Sequence, residues 1–218
     1  MHFLDAWREL ATADLLRLLA PLLLVVIATL LPGARVARVA ALGIAVMLPF
    51  LRELGTSPLV TAGWCAVWLV VAWRGCGTGE GEPAPIAGWR GVFETGTLGL
   101  AVGAALLALL IAAVARQDMS PEDSRRASFG VVLVGVGLLH LMLRRHARRA
   151  TMGFGAMGLG LQVLDGAARG AQVQVGLAPA TWPLIASALA ILLVLRVAAA
   201  RERWAGSPWV PDAHDLHD

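Results

Sequence analysis

Charged residues are scarce in this chain. Only 15% of its 218 residues are charged and 58% are hydrophobic, whereas a soluble domain carries about 25% charged residues. The apolar residues come in long blocks, which are typical of membrane-spanning helices. The composition therefore predicts an integral membrane protein, and the length suits one helical bundle.

Lysine is absent. All eighteen basic residues are arginine, and the formal net charge is +3. The arginines lie in short loops beside the apolar blocks, where basic residues set membrane topology. No basic helix interleaved with aromatic residues occurs, so we expect no contact with nucleic acid.

Cysteine and catalytic motifs are also lacking. Cys65 lies within an apolar block and Cys76 just beyond it, without metal-binding spacing. His214 and His217 could share a helix face and bind adventitious metal, but we favour a solvated tail. The chain has no Walker loop and no HExxH, CxxC or GxSxG motif. We therefore expect no active site of its own, no cofactor and no metal.

The N-terminus lacks a positive region before its first apolar block. Asp5, Glu9 and Asp14 argue against a cleaved signal peptide. The first block is thus predicted to remain as a membrane span.

Seven apolar blocks approach the roughly 20 residues that a helix needs to cross a bilayer. They are Leu15–Leu31, Val36–Leu51, Pro58–Trp73, Thr97–Ala115, Phe129–Leu143, Thr151–Ala168 and Trp182–Ala199. Alternating ten-residue strands are absent, which disfavours a barrel. The predicted fold is all-α, a bundle of seven transmembrane helices. Ser120 and Pro121 form a helix start signal, which predicts a short surface helix leading into the fifth block.

The arginine distribution predicts the orientation. The loop at residues 144–149 reads RRHARR and has four arginines and no acid, so we place it in the cytoplasm. These arginines are Arg144, Arg145, Arg148 and Arg149. With seven spans, the N-terminus lies outside and the C-terminus in the cytoplasm, in a cell inner membrane. Trp64 and Trp68, one helical turn apart, indicate a lipid-facing or helix-packing surface rather than a cofactor stack.

The sixth block carries Gln162 and Asp165, and Arg169 follows directly at its end, so that the three lie at helical spacing. An ionisable group within the bilayer costs roughly 2.5–3.5 kcal/mol by insertion scales. One interpretation is a local ion pair that merely satisfies Asp165. The other makes Asp165 a proton carrier, with Gln162 anchoring a water and Arg169 adjusting its pKa. His140, near the end of the fifth block, is either interfacial or a proton donor to this path.

Glycine is frequent in the sixth block, where small residues allow close helix packing. Gly158, Gly166 and Gly170 are the candidate packing positions, and the last two have GxxxG spacing. We therefore infer close packing of this helix against its neighbours, without assigning a specific partner helix.

The last three blocks carry a pattern of motifs. Arg144 and Arg145 follow an apolar span, LGLQVL stands at 159–164 with Ala167 after it, ALAILL stands at 188–193, and the acidic tail has DAHDL at 212–216. In these features the segment Val131–Asp218 resembles the NuoK-type (chain 4L) subunit of respiratory complex I and the MrpC-type antiporter subunits. The whole chain is similar to hydrogenase-4 component E (HyfE-like) proteins. The resemblance implies a membrane-arm subunit that packs beside antiporter-like subunits and helps to form a charged path.

Two positions depart from that pattern. NuoK-type members usually have a glutamate where this chain has Gln162, and another where it has Leu184. Asp165 is one turn from Gln162 and is a candidate substitute for the first. No acid in the seventh block replaces the second, so a complete two-carboxylate relay is not expected.

Three functional hypotheses follow. The preferred one is an accessory membrane subunit of a redox-driven or antiporter-type proton- or cation-translocating complex, within an oxidoreductase assembly and surrounded by lipid. The second is a structural scaffold that binds partner helices, lipid or pigment proteins. A stand-alone transporter is disfavoured because no inverted repeat is found. The expected division is a four-helix part at 1–128, a NuoK-like part at 129–200 and a cytoplasmic tail at 201–218.

Overall fold

The computed structural model describes residues 12–30, 33–51, 54, 56–76, 104–112, 120–143, 147–169 and 181–205. Within these ranges the chain forms seven α-helices and no strand, so the predicted all-α class is confirmed there. The helices are α1 Thr12–Leu30, α2 Ala34–Met47, α3 Pro58–Val70, α4 at 104–112, α5 Pro121–Leu143, α6 Ala150–Arg169 and α7 Trp182–Ala205.

Three segments in the described ranges are long and apolar enough to cross a membrane. They are Pro58–Gly75, Pro121–Met142 and Trp182–Trp204. In α1 the apolar stretch is shorter, Leu19–Thr29. The fourteen residues of α2 span about 21 Å, less than the roughly 30 Å of a bilayer core.

The connection between α1 and α2 depends on glycine. Gly33 has φ +106°, a backbone conformation that costs glycine little and other residues more. The chain reverses there, and α2 buries a stripe of small and branched residues: Ala37, Ala40, Ala41, Ile44 and Ala45. Within α1, Pro21 removes one backbone hydrogen bond, and the buried Thr29 hydroxyl donates to the Val25 carbonyl at 2.7 Å.

Helix α3 starts with a serine cap. The Ser57 hydroxyl accepts from the backbone N–H of Val60 at 3.5 Å, and Pro58 occupies the first turn, where its missing N–H costs nothing. The helix continues through a π-helical turn, Val71–Gly75. Together the two segments give α3 its membrane-crossing length.

Helix α5 is longer than the sequence indicated. The predicted cap is present: the Ser120 hydroxyl accepts from the Asp123 N–H at 3.1 Å and donates to the Asp123 carboxylate at 2.7 Å. The expected helix does start there and lead into the fifth block, but it is not a short element of its own, because one continuous helix runs from Pro121 to Leu143. No proline interrupts residues 122–143, so the helix propagates from its cap into the apolar block and through its three glycines.

Helix α6 is the centre of the bundle and is packed against α5, α7 and α3. Its buried residues lie on several faces and include Met152, Ala156, Leu159 and Val163. Helix α7 is peripheral, with Leu189 and Leu193 more than half exposed. The domain boundaries expected after residues 128 and 200 fall inside α5 and α7.

Candidate functional site

Asp165 and Arg169 form an ion pair in the last turns of α6. The Arg169 guanidinium donates to the Asp165 Oδ1 atom from Nη2 at 2.5 Å and from Nε at 3.0 Å. Both side chains are about a quarter exposed, 27% for Asp165 and 26% for Arg169. A cation in the last turn is also favoured by the helix dipole. The carboxylate is therefore charge-compensated within its own helix.

Gln162 faces α3 rather than the ion pair. Its side-chain oxygen accepts a hydrogen bond from the Trp64 indole Nε1 at 3.2 Å, and both residues are essentially fully buried. A buried amide oxygen needs a donor, and the indole N–H supplies one. Gln162 thus forms a direct bond between α3 and α6, and its predicted role in anchoring a water beside Asp165 stays a prediction.

Trp64 and Trp68 confirm the helix-packing interpretation of their spacing. Neither is exposed. A Cβ atom placed on Gly155 would lie 3.4 Å from the Trp68 ring, and one on Gly158 would lie 2.8 Å from Trp64. Both indoles therefore lie directly against the backbone of α6.

His140 is buried at the opposite end of the bundle from Asp165. Its Nε2 atom lies 2.9 Å from the backbone carbonyl of Arg149, and since a carbonyl only accepts, Nε2 is the donor. From Arg149 to Asp165 the chain runs sixteen residues, about 24 Å along a helix. The structure does not bring His140 and Asp165 together.

Two of the four loop arginines, Arg144 and Arg145, lie outside the described residues. Arg148 forms a two-pronged ion pair with Glu202 of α7, and its Nη1 atom donates to the Arg74 carbonyl at 3.3 Å. The bond to Glu202 raises the pKa of Arg148 further above its usual value. Arg149 is only 4% exposed. This loop is thus anchored to the ends of α3 and α7.

Gly158 is the most constrained of the predicted packing glycines. A Cβ there would lie 1.8 Å from the Ser187 hydroxyl of α7 and 2.8 Å from Trp64. At Gly166 the nearest atom is the Leu54 carbonyl oxygen, 3.3 Å away. Gly170 lies outside the described residues, so its pairing with Gly166 stays a prediction.

The closest helix contact was not foreseen. It joins α5 and α6 through two reciprocal glycine pairs, Gly130 with Gly160 and Gly137 with Gly153. A Cβ on Gly137 would lie 2.6 Å from the Gly153 carbonyl, and one on Gly160 would lie 2.6 Å from the Gly130 carbonyl. The sequence feature that could have predicted this contact is the seven-residue spacing of the glycines within each helix, because that spacing keeps one line of residues facing the partner helix.

Helix α6 therefore has two packed faces. Gly153 and Gly160 meet α5, while a second stripe at the same period faces α3 and α7. Thr151, Gly155, Gly158 and Gln162 make these contacts, and Asp165 and Arg169 continue the same spacing along α6. The polar side chains of the stripe are Thr151, which donates to the Arg148 carbonyl, Gln162, which accepts from Trp64, and, one turn further, the ion pair. Gln162 is thus covered by protein rather than lipid, which lowers the cost of burying it, whereas the ion pair one turn further is about a quarter exposed.

A groove of about 630 Å³ runs along the other side of α3. Its walls are mainly apolar and include Leu48, Leu54, Ala62, Cys65 and Leu69. In the described ranges no three His, Cys, Asp or Glu side chains are close enough to hold a metal ion.

Charge is distributed unevenly between the two ends of the bundle. Where α2 and α6 begin and α3 and α7 end, the described residues include seven arginines and one acid, Glu202. The seven are Arg35, Arg38, Arg74, Arg148, Arg149, Arg201 and Arg203. At the other end, the start of α5 and the end of α6 balance three arginines with three acids. They are Arg125, Arg126 and Arg169 with Glu122, Asp123 and Asp165.

Comparisons with protein-family models, with curated proteins and with solved structures find no match for this chain. The resemblance to complex I and hydrogenase-4 membrane subunits therefore depends on the sequence motifs alone.

Proposed function

We propose that this chain is a seven-span inner-membrane protein and an accessory subunit of a proton- or cation-translocating complex. The observation that carries the proposal is the Asp165–Arg169 pair in α6, a helix covered by α3, α5 and α7. Titratable groups placed at membrane depth are characteristic of charge-moving proteins. The partners would be other membrane subunits, including antiporter-like ones.

The pair can change state with one proton. When Asp165 is ionised, it holds the Arg169 guanidinium at 2.5 Å. Protonation removes the charge attraction, so the guanidinium is released and its positive charge remains. Proton uptake and release at Asp165 would thus move a second charge, and neighbouring subunits could sense that movement.

The proposed orientation has the N-terminus outside and the C-terminus in the cytoplasm. It is supported by the excess of arginine at the end where α3 and α7 finish, because basic residues accumulate on the cytoplasmic side. Reporter fusions after Ala205 and within residues 170–180 test it. Cytoplasmic signal only from the first fusion is expected, and the reverse pattern would overturn the orientation.

The functional test is Asp165→Asn in the native complex, with redox-driven proton uptake measured in inverted membrane vesicles. We expect lower proton uptake per electron and unchanged assembly, because asparagine cannot carry the proton. Glu122→Gln is a matched control: Glu122 pairs with Arg126 at the same i, i+4 spacing and 2.6 Å, but is 60% exposed. Wild-type proton uptake in Asp165→Asn would remove Asp165 from the path.

A second candidate is a scaffold that holds partner helices in a membrane complex. The tight contacts of Gly158 with Ser187 and Trp64 favour it, because they show a bundle built around close backbone approach. In that case Asp165→Asn leaves proton uptake unchanged, while a bulky residue at Gly158 releases partners. Mass spectrometry of the subunits that co-purify in mild detergent tests both candidates, and isolation as a functional monomer contradicts both.

A further inference from the structure

Helix α7 has one buried side and one exposed side. Ser187, Ile191 and Ala198 are buried, and their spacing of four and seven residues places them on one side of the helix. The opposite side is exposed, and it is apolar apart from one residue. We call it the outer face of α7, and its members are Ile185, Leu189, Leu192, Leu193, Arg196 and Ala200.

Arg196 lies inside the segment of α7 that can cross a membrane. That segment is Trp182–Trp204, and the indoles at its two ends are 68% and 91% exposed, as is typical of tryptophan at the headgroup level of a bilayer. Arg196 is eight residues before Trp204, about 12 Å along the helix axis. The Arg196 side chain is therefore attached well inside the hydrocarbon layer, where an unpaired charge is costly.

The Arg196 side chain has neither a short route to water nor a partner in its own helix. Cα–Cβ bonds in a helix tilt toward its N-terminus, so the side chain leaves α7 in the direction away from Trp204, the nearer interface. The positions one turn before and after it are uncharged: Leu192, Leu193, Ala199 and Ala200. Among the residues that the structure describes, no hydrogen bond or ion pair to the Arg196 side chain is formed. A counter-charge for Arg196 must therefore come from outside the described helices.

We propose that the outer face of α7 docks a membrane helix of another subunit, and that this helix carries an aspartate or glutamate at the depth of Arg196. The leucines of the face supply the packing surface, and a carboxylate accepts two parallel hydrogen bonds from a guanidinium. Charge complementarity thus selects the partner, since a purely apolar helix or lipid would leave Arg196 uncompensated. The proposal rests on the membrane subunit proposed above, and it adds the docking face and the chemistry of the partner.

A second copy of this chain does not fit the same face. In a two-fold dimer each surface patch meets itself, so two copies with the same membrane orientation would bring their Arg196 side chains together. Like charges repel, most strongly at low dielectric. Helix α7 itself has one described carboxylate, Glu202, and it is bonded to Arg148. The partner is therefore a different chain.

The test uses the full chain in its native membranes. A photoreactive benzoylphenylalanine replaces Leu193, which is exposed on the outer face one turn before Arg196, and the membranes are irradiated. We expect one adduct with a different membrane protein. Mass spectrometry of the linked peptide should place the cross-link within one or two helical turns of an aspartate or glutamate in an apolar segment.

Charge variants show whether Arg196 selects that partner. Arg196→Leu suits lipid better than arginine does, but it should lower the adduct yield by at least about tenfold, because the partner's carboxylate is left buried without its counter-charge. Arg203→Leu is the matched control: it removes the same charge from an exposed position of α7 beside Trp204 and should keep the wild-type yield. Arg196→Glu, combined with an arginine at the position of the linked carboxylate, should restore the adduct.

Other results would overturn the proposal. An adduct with a second copy, or with another segment of this chain, would assign the outer face to that contact instead. A linked peptide without an acid, or equal yields in Arg196→Leu and Arg203→Leu, would remove charge from the recognition. Adducts with lipid alone, from a chain that alkaline carbonate does not extract, would make the face lipid-facing and leave the proposed function standing. Extraction of the chain by carbonate would refute the membrane placement, and with it the proposed function.

Discussion

Gly158→Ala should destabilise the bundle, although alanine is the better helix former. A Cβ at position 158 would lie 1.8 Å from the Ser187 hydroxyl oxygen, 2.6 Å from the Ser187 Cβ and 2.8 Å from Trp64. Neither neighbour can retreat easily. Ser187 is buried and donates to the Pro183 carbonyl at 2.7 Å, and Trp64 is fully buried with its indole bonded to Gln162.

Gly155→Ala is the matched control on the same face of α6. Its Cβ would lie 3.4 Å from the Trp68 ring, at ordinary contact distance. Both substitutions gain about 1 kcal/mol of helix propensity, so this gain cancels in the comparison. Overpacking costs typically 1–3 kcal/mol, and we expect Gly158→Ala to be less stable than Gly155→Ala by about that amount.

The assay is thermal unfolding in detergent micelles, followed by tryptophan fluorescence. With a shift of about 2–4 °C per kcal/mol for chains of this size, the two variants should differ by about 2–12 °C in Tm. Ser187→Gly in the Gly158→Ala background removes two of the three short contacts and should recover part of the loss. A Gly158→Ala protein as stable as Gly155→Ala would refute the packing described for α3, α6 and α7.

Three further predictions concern single side chains. Gln162→Leu leaves the buried Trp64 N–H without its acceptor and should cost about 1–3 kcal/mol in the free energy of unfolding, measured by the same assay; a neutral effect would contradict the bond. Glu202→Gln removes the charge partner of Arg148. Because both side chains are partly exposed, we expect the free energy of unfolding to fall by at most about 1 kcal/mol, and by less when salt is added. An equal fall at high salt would argue against an ion pair. Burial raises the pKa of the Cys76 thiol to about 11 from 9.0. The stability that the buried thiol contributes is complete below pH 9 and is lost as the pH rises toward 11. The stability of Cys76→Ala should therefore depend less on pH between about 9 and 11 than that of the wild type, and identical stability profiles would contradict the shift.

The helices were largely predictable from the sequence because apolar blocks and caps are local signals. Ser57 and Ser120 were both followed by proline, and each begins a helix. The length of α5 was not predicted, because residues 121–128 are polar and read as a separate segment. Propagation from a good cap through a stretch without a breaker joined them.

The candidate site was predicted in part. The i, i+4 spacing of Asp165 and Arg169 is enough to form their bond, since it depends on one helix alone. The partner of Gln162 could not be predicted, because Trp64 is 98 residues away in sequence and only the fold brings them together. His140 was assigned either to the interface or to the path, from its place near the end of the fifth block and the chemistry of imidazole, and the antiparallel course of α5 and α6 separates it from Asp165.

Glycine and the buried polar bond in α6 depend on each other. The missing side chain at Gly158 lets the Trp64 ring approach the helix backbone, and that approach places the indole N–H within 3.2 Å of Gln162. A larger residue at 158 would push the ring outward, and Gln162 would then be buried without this donor, which costs more than the packing defect alone. The glycine that looks like a simple packing residue is therefore also a condition for keeping a polar side chain inside the bundle. The same reasoning explains why the ion pair stands one turn further along, where α6 becomes more exposed and Asp165 needs only a partner from its own helix.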